Sequence, residues 1–467
     1  MQDTHSKCRC TAHPRRLLWL LCYLLCCGLG AAVTEQTLHA QAIDQIPDYD
    51  PNWDREQILQ ATLQPYRGEH QAGVDASTLK GKVVSGYQGW FTCPDDGADR
   101  GWHHWGGRRG FRPGSCSIDL WPDVSELSQS ERYSTEFRLA DDSPAQVYSP
   151  LNATTVARHF QWMKDYGIDG VMVQRFGAEI RGNKGLYHFN RVLNNCRAGA
   201  NQHGRVWCVM YDLSGLGEGE TQLIKDDWKQ LVDRMRVGRD PADQSYLNHG
   251  GKPLVAVWGA GFNDRRRYTL EETASLVEFL QDDPDYGGNA VMLGIPSYWR
   301  TKQRDAVEDP QLQELVKKAE IVSPWAVGRY ADANGVKRYA EEVWQPDQQW
   351  CNKNQVDYLP VVFPGFSWHN MNRRSELGQI PRRKGEFLWE QLVAARQAKC
   401  EMVYVAMFDE MDEGTAIFKC SQEPPVGESR FLDFEGLPSD HYLWLVGQGG
   451  RLMRGELSDT AIPRRVP

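Results

Sequence analysis

Four carboxylates fall within five positions in residues 408–415 (FDEMDEGT) of this 467-residue sequence, after an apolar run that is typical of a buried strand. Folding gives no reason to gather like charges, because they repel one another. Acid–base chemistry does, since crowded carboxylates raise each other's pKa and one can stay protonated near neutral pH. Glu410 and Glu413 are three residues apart, which puts both on one face of a helical turn. A solvated acidic turn or a helix N-cap cluster is the alternative.

The composition narrows the classes of function. The formal net charge is −9, and it becomes −11 without the first 42 residues. An acidic body without a basic patch argues against a nucleic-acid partner. The 17 Trp and 18 Tyr residues are an aromatic-rich set. The length suits a large barrel or two domains.

Residues 1–42 are predicted to be a signal peptide. Arg15 and Arg16 precede the apolar stretch 17–33, and Ala40-Gln41-Ala42 has the small-x-small form of a cleavage site. The stretch is short for a membrane span, so no stable membrane insertion is expected after cleavage, with an uncleaved anchor as the alternative. The mature chain is therefore predicted to be exported to the periplasm, the cell surface or the extracellular space.

An alternation of strands and helices follows a lead-in segment, residues 43–80, that carries one short helix. Eight apolar runs are predicted as strands: 83–91, 170–176, 206–212, 253–258, 290–295, 320–325, 358–363 and 402–408. Helical patterns separate these strands at 152–166, 190–200, 221–237, 335–347 and 385–399. A further helix is predicted after the capping box formed by Thr269 and Glu272, and a last helix is expected at 439–451.

This alternation of strands and helices predicts a single (β/α)₈ barrel domain over residues 81–455, followed by a C-terminal tail, 456–467. The strands are continuous apolar runs, as expected when both faces of a parallel sheet are covered. A doubly wound open sheet is the structural alternative, but no strand is followed by a glycine-rich dinucleotide or phosphate motif.

The connection after the first strand is unusually long, and long loops in compact domains are mostly functional. It contains His103 and His104, which lack a third ligand of metal-site spacing, so neither a metal nor a cofactor is expected. Seven cysteines follow Ala42, and none forms a C-x-x-C pair. Cys93 and Cys116 flank this glycine-rich loop and are the best candidate disulfide in an exported protein, with buried free thiols as the alternative.

Catalytic residues of such barrels come from the rim where the strands end. The side chains near those exits are predicted to bind substrate: Tyr87, Trp90, Gln174, Arg175, Tyr211, Asp212, Trp258, Tyr298, Trp325, Trp368 and His369. Flat aromatic faces near almost every exit suit the C–H faces of sugar rings. The alternatives are that some rings only close the barrel mouth, that Arg175 and Asp212 form rim salt bridges, and that His369 is structural.

The segment Glu410-x-x-Glu413-Gly414-Thr415 after the eighth strand resembles the catalytic segment of glycoside hydrolase family 99, the endo-α-mannosidases, usually written NEWHEGT. Family 71, the α-1,3-glucanases, has a similar carboxylate-x-x-Glu segment, and residues 166–170 leading into 174–176 are also similar to those barrels. The sequence departs from the family 99 pattern at Asp409, Met411 and Asp412, which stand in place of Asn, Trp and His. These departures keep both glutamates but give no basis for predicting mannose specificity.

The resemblance implies a glycosidase with Glu413 as general acid/base. It implies that Glu410 assists the sugar's own 2-hydroxyl in attacking the anomeric carbon, while in an ordinary retaining mechanism Glu410 would be the nucleophile. The predicted function is an exported hydrolase of an α-linkage in a polysaccharide or glycan. A non-catalytic carbohydrate-binding barrel and a metal-dependent barrel hydrolase are the alternatives.

Overall fold

The computed structural model describes residues 46–107, 110–458 and 461–465. Its strands, in chain order, are β1 (Val83–Tyr87), β2 (Tyr133–Arg138), β3 (Pro144–Val147), β4 (Gly170–Phe176), β5 (Val206–Asp212), β6 (Asn248–His249), β7 (Lys252–Trp258), β8 (Ala290–Pro296), β9 (Ile321–Trp325), β10 (Asp357–Tyr358), β11 (Val361–Val362) and β12 (Val403–Val405). Its α-helices are α1 (Arg55–Thr62), α2 (Ala153–Tyr166), α3 (Asn183–His203), α4 (Thr221–Gln230), α5 (Leu270–Asp282), α6 (Gln311–Lys318), α7 (Ala333–Tyr339), α8 (Gln345–Asn354), α9 (Glu386–Gln397) and α10 (His441–Met453).

The parallel strands close on themselves in the order β1, β4, β5, β7, β8, β9, β10–β11 and β12, with β12 beside β1. The seventh barrel strand is split, because β10 pairs with β9 whereas β11 pairs with β12. At the split, the Leu359 amide donates to the carbonyl of Val322 at 2.9 Å, and the Pro360 carbonyl accepts from the amide of Tyr404 at 3.0 Å. Proline has no amide hydrogen to continue the ladder, so the strand changes partner there. The predicted (β/α)₈ barrel is confirmed.

The barrel strands are buried on both faces, as their continuous apolar pattern predicts; every residue of β1 and of β8 is buried. The helices begin and end at the signals that the sequence carries. Asn152 caps α2, Gly167 ends it in the left-handed conformation, and Thr269 with Glu272 forms the capping box of α5. Single π-turns at Leu231–Met235 and Ala340–Trp344 extend α4 and join α7 to α8.

The long first loop is folded over the carboxyl end of the barrel and contains the antiparallel hairpin β2–β3. It pairs with the segment that follows β12 through Leu120 with Leu432, and through Pro122 with Cys420. In the lead-in segment, the short helix that the sequence predicts is α1. The loop after the first barrel strand and the segment after the last one are thus packed together where the strands end.

The predicted disulfide between Cys93 and Cys116 is wrong. All seven cysteines of the described residues are buried free thiols. The Cys93 thiol reaches the carbonyl of Tyr148 at 3.2 Å, and that of Cys116 reaches Oγ of Ser429 at 3.5 Å. Each behaves as a small core residue. The predicted signal peptide lies outside the described residues, and no helix of the described part has the length and hydropathy needed to cross a bilayer.

Candidate active site

The acidic segment forms a tight turn directly after β12. The amides of Thr415 and Ala416 both donate to the carbonyl of Glu410, at 3.1 and 2.9 Å, and the amide of Gly414 donates to the carbonyl of Met411 at 3.3 Å. Gly414 has a φ of +62°, and a Cβ added there would lie 3.0 Å from Ser367. Glycine tolerates both conditions, so it allows the chain to reverse and brings Glu413 beside Glu410.

Glu410 is almost fully enclosed, with 4% of its surface exposed. Its Oε1 accepts a hydrogen bond of 2.6 Å from Nε2 of Gln88, and its Oε2 accepts one of 2.6 Å from the hydroxyl of Thr415. Burial raises the pKa of Glu410 well above its ordinary value, and the charges of Glu413 and Asp412 add to that rise, whereas the two hydrogen bonds oppose it. Both oxygens are therefore oriented by donors from two different elements.

Glu413 is partly exposed. Its backbone carbonyl accepts from the amide of Ser367 at 2.9 Å, but no side chain of the described residues donates to its carboxylate. Burial raises the pKa of Glu413 to about 7, with the charge of Asp412 as the second cause. A carboxyl with that pKa can both donate and accept a proton near neutral pH.

The other two carboxylates of the segment have distinct partners. Asp409 is fully buried and accepts from the backbone amides of Gln88 and Gly89, at 2.7 and 2.9 Å, so it fixes the exit of β1. Burial raises the pKa of Asp409 to about 7, with its two amide hydrogen bonds opposing the rise. Asp412 is 3% exposed; its Oδ2 lies 3.3 Å from Nδ1 of His104, and its Oδ1 has no partner among the described residues.

The last residues of β4, β5, β7 and β9 are partly exposed side chains at the mouth, and we call this set the exit ring: Phe176, Asp212, Trp258 and Trp325. Phe176 pairs in register with Asp212, and Asp212 with Trp258. Trp258 meets Trp325 edge to face at 5.5 Å. The intervening strand β8 contributes Gly294, where a Cβ would lie 2.2 Å from the indole of Trp258, so glycine makes room for that ring.

Trp90 at the exit of β1 also belongs to the mouth. Its ring is stacked on His104 at 4.0 Å and on Phe176 at 5.2 Å. Trp368 is partly exposed and packs against Phe366 at 5.6 Å. Several polar atoms of this region are buried without a partner in the described residues: Nε1 of Trp90, Trp258 and Trp368, and Oε1 of Gln88 and Gln174. Buried polar groups normally have partners, so unpaired donors and acceptors around a mouth fit a polyhydroxylated ligand.

Gln174 and Asp212 point into the barrel. Burial and the nearby charge of Glu410 raise the pKa of Tyr404, and Gln174, Cys208 and Asp212 also lie close enough to influence it. Asp212 accepts from the amide of Ser214 at 2.7 Å, and burial raises its pKa. Both residues stay predictions as substrate contacts.

Three residues predicted to bind substrate face away from the mouth, and those predictions are wrong. Arg175 is buried in an ion pair with Asp227 at 2.6 Å, and the hydroxyl of Tyr211 donates to the same carboxylate at 2.6 Å. Tyr87 is fully buried, and its hydroxyl lies 2.9 Å from Nδ1 of His159. Successive side chains of a strand point to opposite faces, so the neighbours of inward residues must contact the helices.

The remaining predicted contacts lie in loops at the mouth. Tyr298 is partly exposed, and the guanidinium of Arg304 covers its ring at 4.3 Å and donates to its hydroxyl. His369 donates from Nδ1 to the carbonyl of Ser375 at 2.7 Å. Its backbone amide donates to Asp119 at 2.6 Å. Tyr298, Trp368 and His369 stay predictions as substrate contacts.

Several residues of the site were missed by sequence reasoning. Gln88 and Thr415 orient Glu410, and Asp119 of the first loop accepts hydrogen bonds from Ser367, His369 and Asn370 at 2.5 to 2.8 Å. Gln88 lies two residues after Gly86, which faces the inside of the barrel. Because residues two apart on a strand face the same side, extending this alternation beyond β1 predicts that Gln88 also faces inward. Asp119 lies in an irregular loop, and no periodicity marks it.

No group of three or more histidine, cysteine or acidic side chains in the described part of the chain is arranged to hold a metal ion. The rings of His103 and His104 are nearly perpendicular, at 87°. The first lies 2.9 Å from a guanidinium nitrogen of Arg100, and the second contacts Asp412. The two rings thus have separate partners.

Comparison with known proteins finds similarity in sequence over a short segment and in structure over most of the chain. No protein-family model matches the chain. A segment of 109 residues is 28% identical to a glycoprotein endo-α-1,2-mannosidase-like protein of Danio rerio, and the match spans 22% of this chain and 23% of that relative. Two structures of the GH99 endo-α-mannosidase of Bacteroides thetaiotaomicron have TM-scores of 0.57 and 0.58 at 15% identity, and the alignments cover 81% of this chain and 99% and 100% of those chains. The predicted resemblance is therefore confirmed: this chain has the barrel fold of the family 99 endo-α-mannosidases.

Proposed function

We propose that this protein is a glycoside hydrolase in which Glu410 and Glu413 are the catalytic pair. The observation that carries the proposal is the asymmetry of the two glutamates. Glu410 is held by donors on both oxygens, whereas the carboxylate of the partly exposed Glu413 receives no hydrogen bond from the described residues. Glycosidases use two carboxyl groups in different protonation states, and different surroundings produce that difference.

Glu413 is the general acid/base of the proposal. Its raised pKa, about 7, keeps a proton available for the leaving oxygen near neutral pH. A carboxyl that protein donors do not occupy can direct its proton to a ligand. The donors to Glu410 favour its ionised form and oppose the larger effect of burial. The proposal gives the transferred proton to Glu413 because no side chain of the described residues occupies that carboxylate.

Glu410 is the base or the nucleophile. In one route its carboxylate takes the proton of the sugar's own 2-hydroxyl as that oxygen attacks the anomeric carbon. In the other it attacks that carbon directly and forms a glycosyl ester. In both routes Glu413 protonates the leaving oxygen and then takes a proton from the water that opens the intermediate, so the configuration of the sugar is retained. The orientation of Glu410 by Gln88 and Thr415 supports either route.

The substrate is an α-linked polysaccharide or glycan, and the protein is exported. The exit ring offers two partly exposed indoles, Trp258 and Trp325, and the unpaired polar atoms of the mouth suit sugar hydroxyls. The α-linkage rests on the likeness to the family 99 fold, and export rests on the signal pattern of residues 1–42.

The test is the Glu413→Gln variant, which keeps the shape of the side chain and removes its proton exchange. Purified wild-type protein is incubated with a panel of α-linked glycans, and the released sugar and its anomer are followed by NMR. We expect retained configuration in the wild type and a loss of turnover by several orders of magnitude in the variant. Binding of glycans without turnover by the wild type would instead identify a carbohydrate-binding barrel.

A further inference from the structure

We propose that the mouth of the barrel holds a subsite for a negatively charged sugar, built by Arg265 and Arg304 on the side opposite the two glutamates. The inference rests on the proposed function and deepens it, because it names the substrate class: an α-linked glycan whose sugars carry sulfate or carboxylate groups. The two arginines belong to the loops that follow β7 and β8, and neither takes part in the proposed acid–base chemistry.

These two loops concentrate positive charge in an acidic protein. Residues 265–267 read RRR and residues 300–304 read RTKQR, so the two runs contain six cations and no acid, whereas the whole chain has a formal net charge of −9. Two of the six cations pair with carboxylates, those of Asp264 and Asp347. The other four form no ion pair among the described residues: Arg265, Arg267, Lys302 and Arg304.

The two cationic runs lie beside each other because their loops pair. Phe262 and Ala306 form an antiparallel bridge, and Arg265 follows the first by three residues while Arg304 precedes the second by two. Both arginines are exposed, and both have a left-handed φ, +65° and +53°. Residues other than glycine adopt this conformation infrequently, and it concentrates at functional sites. The paired loops thus present two guanidinium groups without carboxylate partners from neighbouring positions of the rim.

Arg304 is held in place by Tyr298. Its guanidinium lies over that ring, 4.3 Å from the ring centre, and donates to the hydroxyl of Tyr298. The remaining N–H groups of Arg304 have no partner among the described residues. A guanidinium presents several donors in one plane, which suits two parallel hydrogen bonds to a sulfate or a carboxylate. Because the ring already orders the side chain, less conformational entropy is lost when an anion binds.

The cationic side of the mouth is continuous with the exit ring. The guanidinium of Arg266 lies over the indole of Trp258, 5.0 Å from the ring centre. The hydroxyl of Ser297, the residue before Tyr298, donates to the carbonyl of Trp325. Each indole of the exit ring therefore adjoins a loop that carries positive charge. Flat apolar faces with charged donors beside them are what a ligand with both sugar rings and anionic groups requires.

The barrel separates this positive charge from the acidic turn. In the closed order β7 and β8 are the fourth and fifth strands, whereas β12 and β1 are the eighth and first, so the two pairs face each other across the mouth. A glycan that extends from Glu413 to Arg304 has its neutral scissile sugar beside the carboxylates and its charged sugar beside the arginines. This arrangement avoids repulsion by the catalytic carboxylates, and cations at a cleft attract an anionic substrate.

The experiment measures binding in Glu413→Gln protein, so that no ligand is consumed. Isothermal titration calorimetry compares α-mannan and α-glucan oligosaccharides in three forms: neutral, sulfated, and oxidised to the carboxylate at C6. We expect one or both charged forms to bind about 10-fold more tightly than the neutral form at low salt, and added salt to reduce this preference. The better of the two charged forms identifies the anion.

Arg265→Gln combined with Arg304→Gln should reduce the preference for the charged form by about 3- to 10-fold. Arg304→Lys keeps the charge but not the planar donors, so it should retain only part of the preference. The matched control is Arg396→Gln combined with Lys399→Gln. Both of these residues are exposed near the end of α9, at the opposite end of the barrel, and form no ion pair among the described residues, so this control should retain the full preference.

Equal binding of neutral and charged forms, or no binding of any charged form, would overturn the inference. A preference that the control pair reduces as much as the two arginines would overturn it as well. Turnover by wild-type protein is a separate readout. If charged glycans bind through Arg265 and Arg304 but no glycan is hydrolysed, the proposed function fails and the subsite stands. If neutral glycans are hydrolysed without any preference for charged ones, the subsite fails and the proposed function stands.

Discussion

Gln88 donates a hydrogen bond of 2.6 Å from Nε2 to Oε1 of Glu410, and this contact joins the exit of the first barrel strand to the turn after the last. These two strands are neighbours in the closed barrel, paired from Val83 with Val403 to Ser85 with Val405. Closure of the barrel thus places residues from opposite ends of the chain within hydrogen-bond distance. The orientation of Glu410 follows from the fold and not from its own loop alone.

Replacing Gln88 by Leu should reduce kcat more than it changes KM. The variant removes a donor to a charged group, a contact worth roughly 1.5–3 kcal/mol, which corresponds to about a 10- to 100-fold loss of rate. Steady-state kinetics on the hydrolysed glycan measures the effect. Gln60→Leu, on the exposed face of α1, is the control and should behave as wild type. Unchanged kcat in Gln88→Leu would show that Glu410 does not depend on this donor.

The activity should fall as the pH rises through neutrality. Burial and the charge of Asp412 raise the pKa of Glu413 to about 7, so above that pH the group loses the proton that the leaving oxygen needs. The sign follows from its role, since an acid works only while protonated. The dependence of kcat/KM on pH measures it. A profile that stays flat from neutral to alkaline pH would exclude Glu413 as the acid.

Replacing Arg175 by Met should destabilise the protein without changing its pH profile. The change leaves the carboxylate of Asp227 buried without its cation, which costs about 3–5 kcal/mol. Chemical denaturation measures the loss. Arg175→Met combined with Asp227→Leu should recover much of it, because no unpaired charge remains. A large loss of kcat in a stably folded Arg175→Met variant would return this residue to the list of substrate contacts.

Replacing Gly414 by Ala should impair catalysis by displacing Glu413. The new Cβ would be held at a φ of +62°, only 3.0 Å from Ser367, and the left-handed conformation costs an L-residue about 1–2 kcal/mol. We expect a reduced kcat together with a modest decrease in melting temperature. Gly73→Ala is a suitable control, since it has a φ of +84° with open space around it. Equal effects on stability with no effect on kcat in Gly414→Ala would contradict a role in placing Glu413.

The sequence allowed the fold to be predicted and the acidic segment to be selected as the candidate site, because eight apolar runs, caps such as Thr269 and the crowded carboxylates are local signals. The sequence did not show whether each side chain at the rim points into the barrel or toward the surrounding helices. Arg175 and Tyr211 lie near strand ends, but the two-residue period of a strand directs them to the helices, whereas Gln174 and Asp212 point inward.

Contacts from the first loop were beyond sequence reasoning for a different reason. His104 contacts Asp412, which lies about 300 positions further along the sequence. Asp119 contacts Ser367, about 250 positions further along. No propensity or period encodes such a contact, since it depends on how the loop packs over the closed barrel. The sequence shows the paired histidines, but their separate partners depend on the fold.

Glu413 is proposed to donate the proton that releases the leaving group. Turnover of an α-linked aryl glycoside series by wild type and Glu413→Ala distinguishes this role from a structural one, because a good leaving group does not need that proton. We expect a loss of several orders of magnitude in kcat/KM for poor leaving groups and a small loss for activated ones. An equal loss for every leaving group, or near wild-type turnover throughout, would contradict it.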